Sequence, residues 1–307
     1  MRPRHAACLA LAALAAVPAG ARAQGLDFGG GEEPVTIDAD DGIEWQRDRS
    51  AYVARGNATA TRGDTSVRAH ELIAYYTPES DGTDIFRIDA VGDVLILGPD
   101  QRVVGDKAVY DVANGIVVVT GDALSLSTPN EVLTASESLE YWAAQRMAVA
   151  RGDAVACTGS ERLAADILTA YCVAEGRGGG TGSGAGDAAG DGAAAGDGAA
   201  AGGSDAALQS QQLDRVEAYG SVLILTATDR AESDTAIYYA QDEVAFLNGN
   251  VRIAQGSNQL QGTAAEYDLV TRIFKVENAR MYFVQQEEQP AGASPCQVPP
   301  FAGGTRQ

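Results

Sequence analysis

Val104-Gly105-Asp106-Lys107-Ala108-Val109-Tyr110-Asp111, followed by Val117-Val118-Val119-Thr120-Gly121-Asp122-Ala123, is the stretch that decides the fold. The first segment alternates small or apolar residues with polar ones and ends on an aromatic, and the second is a β-branched run broken by Gly-Asp. Alternation with period two and a run of valines favour strand over helix. The same two signals recur along the chain. The turn-like triplets are Gly56-Asn57-Ala58, Gly92-Asp93-Val94, Gly121-Asp122-Ala123, Gly152-Asp153-Ala154, Gly220-Ser221-Val222 and Gly249-Asn250-Val251.

The spacing makes this a repeat. From each glycine to the next aromatic the distance is 19 (56 to 75), 18 (92 to 110), 20 (121 to 141), 19 (152 to 171), 18 (220 to 238) and 18 (249 to 267). From aromatic to next glycine it is 11 at Trp45 to Gly56, Tyr110 to Gly121, Tyr141 to Gly152 and Tyr238 to Gly249. Tyr267 to Asn278 is also 11, with asparagine, the residue after glycine that best tolerates a left-handed backbone, in the glycine place. Two intervals are longer. Tyr75 to Gly92 contains the loop Thr77-Pro78-Glu79-Ser80-Asp81-Gly82, and Tyr171 to Gly220 contains a run of Gly, Ala, Ser and Asp from Gly176 to Ser204. That run lacks the apolar surface to offset its ordering entropy and is expected to be a flexible insert. Its aspartates 187, 191 and 197 are too irregularly spaced for a calcium-binding Gly-Asp repeat.

The pattern around the glycines predicts which side faces inward. Two and four residues before them stand Ala54 and Tyr52, Ala90 and Ile88, Val119 and Val117, Ala150 and Ala148, Ala218 and Val216, Leu247 and Ala245. Two and four residues after stand Val94 and Ile96, Val222 and Ile224, Val251 and Ile253, whereas charged pairs such as Arg87 with Asp89 and Arg215 with Glu217 occupy the alternate positions. Strands that bend at each glycine and line two facing walls follow from this. The expected architecture is all-β, with two apolar walls facing one interior. We expect Ile88, Val94, Ile96, Val117, Val119, Val216, Val222, Ile224, Leu247, Val251 and Ile253 to line a groove, and Gly56, Gly92, Gly121, Gly152, Gly220 and Gly249 to turn the chain. A closed hydrophobic core is the plain alternative. The tyrosines are expected to form a packing ladder along the stack.

Bulk properties bound the function. Residues 1–23 read as a signal peptide, with Arg2 and Arg4, an apolar stretch from Ala6 to Val17 and the exit Ala21-Arg22-Ala23. Cleavage removes three of the 22 basic residues, leaving 19 against 42 acids, a formal charge of −23. Such a chain is a poor nucleic-acid binder, and charge alone would not hold anionic lipid headgroups. An oxidising compartment permits a disulfide, for which Cys157 with Cys172 is the better pair; both as small buried hydrophobes is the alternative. After cleavage His70 is the sole histidine, and it occupies an ordinary repeat position, which excludes a multi-histidine metal site and most triads with an imidazole base. No cofactor or enzymatic activity is expected, although a carbohydrate-acting carboxylate pair is a competing class.

The residues now resemble a known family. Ile37-Asp38-Ala39-Asp40, Ala54-Arg55-Gly56-Asn57-Ala58, Val104 to Asp111 and Val118 to Ala123 resemble the LptA/OstA-like periplasmic lipopolysaccharide-transport proteins, as do Phe246 to Val251 and Gly262 to Asp268. The resemblance implies a twisted, V-shaped, open-ended antiparallel β-jellyroll whose subunits join head to tail and whose apolar groove shields lipid A acyl chains. It also implies an inner-membrane anchored partner at the N-terminal edge, about Val35 to Trp45, and the outer-membrane translocon at the C-terminal edge, about Arg272 to Val284. The expected organisation is a flexible segment at 24–34, an OstA-like jellyroll at 35–175, the insert at 176–209, continued repeat at 210–285 and a disordered tail at 286–307. The insert and the repeats after it depart from the family pattern. They put the usual assembly stoichiometry in doubt.

Overall fold

The computed structural model describes residues 35–78, 84–159, 161–174, 211–255, 258–271 and 273–282. The expected signal peptide, the 24–34 segment, the insert and the tail lie outside the described residues. Within them the chain runs through β1 (Thr36–Asp38), β2 (Gly42–Gln46), a 3-10 turn (Arg47–Arg49), β3 (Ala51–Arg62), β4 (Thr65–Tyr76), β5 (Ile85–Leu97) and β6 (Arg102–Asp111). It continues through β7 (Ile116–Thr120), β8 (Leu124–Ser127), β9 (Glu131–Ala135), β10 (Ser138–Trp142), β11 (Met147–Thr158) and β12 (Glu161–Ala174). The last part is β13 (Gln211–Leu225), β14 (Asp229–Tyr239), β15 (Val244–Gln255), β16 (Asn258–Asp268), β17 (Ile273–Glu277) and β18 (Arg280–Tyr282). All pairings are antiparallel and join the 18 strands of the described residues into one sheet, the twisted jellyroll that the family resemblance implies. β12 pairs with β13 directly, so the repeats on either side of residues 175–210 form one uninterrupted sheet.

The glycines act where the strands change direction. At Gly56, Gly92, Gly152, Gly220 and Gly249 the backbone has φ between +77° and +82°, and the next residue, Asn57, Asp93, Asp153, Ser221 or Asn250, is also at positive φ. Each pair is a β-bulge, two residues facing one on the neighbouring strand, as where Arg55 and Ala58 face Glu71 and Ala69. A side chain would not fit. A Cβ on Gly220 would run into the Asp166 carboxylate, and one on Gly92 would meet the His70 ring. Gly121 differs, because its φ of +158° is nearly extended and the chain there breaks into two short strands, β7 and β8, instead of bulging. The Asp106 carboxylate takes up the freed amide of Asp122 at 3.1 Å.

Bending at these corners turns the residues on both sides toward one core. Ala54 and Ala58, Ala90 and Val94, Leu168 and Leu163, Val216 and Val222, Leu247 and Val251 all belong to a single buried apolar cluster running the length of the sheet. The two arms are the opposing walls expected from the sequence.

Candidate functional site

The interior is the candidate site, and its walls can be read from the strand register. One wall carries rows such as Val94 and Ile96 beside Gly105 and Val103, and Val222 and Ile224 beside Ser233 and Ala231. The other carries Val117 beside Tyr141, Val119 beside Leu139, and Leu247 beside Ala265. Nine of the eleven expected groove residues are buried in the common core: Val94, Ile96, Val117, Val119, Val216, Val222, Leu247, Val251 and Ile253. Ile224 is half-buried and packs against that core, and Ile88 is half-buried without belonging to it.

In this structure these side chains form a packed interior. Val94 and Leu168 are 0% exposed, so the walls meet and interdigitate. The physical reason is the hydrophobic effect, which gains about 25 cal/mol for each Å² of apolar surface removed from water and draws two facing oily walls together. A small cleft lies near the C-terminal end of the described residues. It holds about 20 Å³, room for roughly one water, between Ile224 and Ala231 on one wall and Leu247, Tyr267 and Phe274 on the other, with Thr226 and Asp229 beside it.

The tyrosine ladder divides between two faces. Tyr110, Tyr141, Tyr238 and Tyr267 are interior residues, and Tyr267 stacks on Phe274 with ring centroids 3.9 Å apart. Tyr75 and Tyr171 lie on the outside instead, under the guanidinium groups of Arg87 and Arg215 at 5.8 and 3.8 Å. Those arginines also grip carboxylates on the same strand, Asp89 at 2.6 Å and Glu217 at 2.7 Å. The alternate charged positions thus form an outer layer of ion pairs.

Two features carry no sequence signal. Glu131, Thr158 and Glu161 lie side by side on β9, β11 and β12. They share the inward alternation of Leu133, Ala156 and Leu163. Burial pushes the Glu131 carboxyl up to about 7, against a smaller lowering by the nearby Thr158 hydroxyl, and burial pushes Glu161 up to about 7. Glu131 Oε2 and Thr158 Oγ1 are buried with no well-formed hydrogen bond. At the N-terminal end, Trp45, Tyr52 and Tyr76 form a column of rings with centroids 5.7 and 5.2 Å apart, tied by a 2.9 Å hydrogen bond from Trp45 Nε1 to the Tyr76 hydroxyl.

Cys157 and Cys172 are both disulfide-bonded, which removes the reading of them as free buried thiols. Among the described residues no group of His, Cys, Asp and Glu could hold a metal ion, and no helix is long and apolar enough to cross a membrane.

A family model described as "LptA/(LptD N-terminal domain) LPS transport protein" matches twice, over residues 36–137 and 133–273. No curated protein matches the chain. Among solved structures, LptH of Pseudomonas aeruginosa, titled the LptA homologous periplasmic component of the lipopolysaccharide transport device, aligns at 19% identity with a TM-score of 0.34. That alignment covers 39% of this chain and 84% of LptH. The two family matches together run from residue 36 to 273, well over half of the 307 residues, and on that ground the chain belongs to the LptA/LptD N-terminal domain family of lipopolysaccharide transport proteins.

Proposed function

We propose that this protein is a periplasmic carrier that bridges inner- and outer-membrane transport machinery and shields lipid A acyl chains between its two apolar walls. The observation that carries the reading is the uninterrupted inner face. Apolar rows from Ala54 to Ala265 belong to one core along a single sheet holding two tandem family modules. Cargo enters by parting walls held together by non-directional apolar contact, so acyl chains replace one apolar surface with another. The first and last strands, β1 and β18, are three residues each and supply the edges for strand addition to an inner-membrane anchored partner, the outer-membrane translocon or a second copy head to tail. Export follows cleavage after Ala23.

A photo-crosslinker at Ile96 or Val119 is expected to label lipopolysaccharide, and one at the outward, exposed Arg252 is not. Depleting the protein should stop newly made lipopolysaccharide from reaching the cell surface. Labelling only from Arg252, or normal surface delivery after depletion, rules the carrier reading out. The tight burial of the walls favours a second reading, a closed-core envelope scaffold. It predicts self-association with no lipid retained on purification.

We further propose that Cys157 and Cys172 bond to each other. Both are disulfide-bonded, and they stand on the paired strands β11 and β12. Peptide mapping of the unreduced protein should recover one linked pair containing both. Either cysteine linked elsewhere contradicts it.

A further inference from the structure

We propose that the N-terminal rim around Trp45, Arg47 and Arg49 is a headgroup clamp for a phosphorylated lipid. This rests on the carrier reading and adds where, and by which chemistry, the polar end of the cargo is held.

Sequence and register place these residues together. The β2–β3 connection is the single 3-10 turn Arg47–Arg49, closed by Ser50 in a left-handed conformation whose amide bonds the Arg47 carbonyl at 3.3 Å. Tyr76 donates its amide to the Ser50 carbonyl at 3.0 Å, pinning the turn to the end of β4. The turn therefore stands on a fixed base beside the aromatic column. The Arg47 guanidinium lies 4.1 Å from the centre of the Trp45 ring, so the column ends in a cation. Stacking uses the face of the guanidinium and leaves its edge of N–H donors available.

Charge and exposure identify the ligand class. Arg55, Arg87, Arg151, Arg215, Arg230 and Lys275 are each held by a carboxylate within 3.2 Å. Among the described residues, neither Arg47 nor Arg49 has such a partner; Arg68, Arg102, Arg146, Arg252 and Arg280 lack one as well, but only Arg47 and Arg49 share one turn. Arg47 has only the Trp45 ring, Arg49 only the Gln46 side-chain oxygen at 2.9 Å, and Asp48 between them pairs with neither. In a chain of formal charge −20, two guanidinium groups carried by one turn without a carboxylate partner mark a place for an anion. Trp45 and Ile43 beside them are 49% and 52% exposed, which a free phosphate would not need. A ligand with a phosphate at one end and hydrocarbon at the other satisfies both: phosphate on the guanidinium edges, chains running along Trp45 and Tyr52 toward the interior.

The test uses the full-length mature protein and two probes, lipid A bearing its phosphates and the same lipid dephosphorylated. The double variant Arg47→Gln/Arg49→Gln is expected to weaken binding of the phosphorylated lipid by roughly tenfold or more, the scale of losing a charge-assisted hydrogen bond, with little effect on the dephosphorylated one. Arg102→Gln/Arg252→Gln, which removes the same charge from exposed positions elsewhere, should leave both affinities unchanged. Equal losses from the two double variants, or equal affinity of the unaltered protein for both lipids, would overturn the clamp and leave the carrier reading standing. Lipid binding unaffected by Arg47→Gln/Arg49→Gln, together with loss of a co-purifying protein, would assign the rim to a protein partner and also overturn it. If the unaltered protein binds neither lipid, the carrier reading fails and the clamp with it.

Discussion

Leu168→Ala is expected to lower the unfolding free energy by about 3–5 kcal/mol, the upper part of the range for emptying a core site. Leu168 is fully buried, and its partners on the strands to either side are Ala150 and Ala218. A cavity is costly in proportion to how little the surroundings relax. Alanines offer no long side chain to swing into the space, and the continuous sheet holds their backbones in register. Urea denaturation with an unchanged m-value and a lower midpoint would report the loss. A loss below about 1 kcal/mol would mean that the walls are not pressed together around Leu168 and that the interior already has slack. The same substitution enlarges the space between the walls. Retained lipid labelling from Ile96 in this variant would separate stability from cargo capacity.

Much of this architecture was legible in the sequence because a period of two is sensitive to parity. Tyrosines 18 or 20 residues after a corner glycine, at 110, 141, 238 and 267, point inward, and those 19 after, at 75 and 171, point outward. One residue of offset moves a side chain to the other face of a strand. The corner positions were equally readable, since Gly followed by Asn, Asp or Ser is the pairing that tolerates two positive φ angles in a row. Gly121 was the exception: the strand breaks there, although the same triplet, Gly-Asp-Ala, bulges at Gly152, so the local triplet does not decide between the two outcomes. Sequence could not show whether the walls touch. Alternation assigns Val94 and Val119 to an inner face but does not set the distance to the opposite one, which depends on how sharply each corner bends. The rim at Arg47 and the carboxyls at Glu131 and Glu161 were invisible for a related reason: each is assembled by register across strands, and neither repeats.

Glu131→Gln is expected to stabilise the protein at neutral pH and to flatten its dependence on pH. Burial raises the Glu131 carboxyl from 4.5 to about 7, so the folded protein holds a proton there that the unfolded chain releases. The sign follows from linkage: stability from this group is fully present below about 4.5, falls as the pH climbs toward 7, and is flat and low above it. At about 1.4 kcal/mol per unit, the shift corresponds to roughly 3 kcal/mol between the two limits. Glutamine keeps the shape and a carbonyl oxygen facing Thr158 but carries no charge at any pH, so the difference between variant and parent isolates this one group. Asp111 and Glu140, whose carboxyls are held below their usual range, contribute the opposite slope at lower pH and cancel in that difference. Glu161 keeps its own fall in both proteins, partly screened by solvent, and the double variant with Glu161→Gln should remove most of what remains. Parallel stability curves for parent and Glu131→Gln between pH 5 and pH 8 would show that the carboxyl ionises at its ordinary value, with water reaching between the walls at β9.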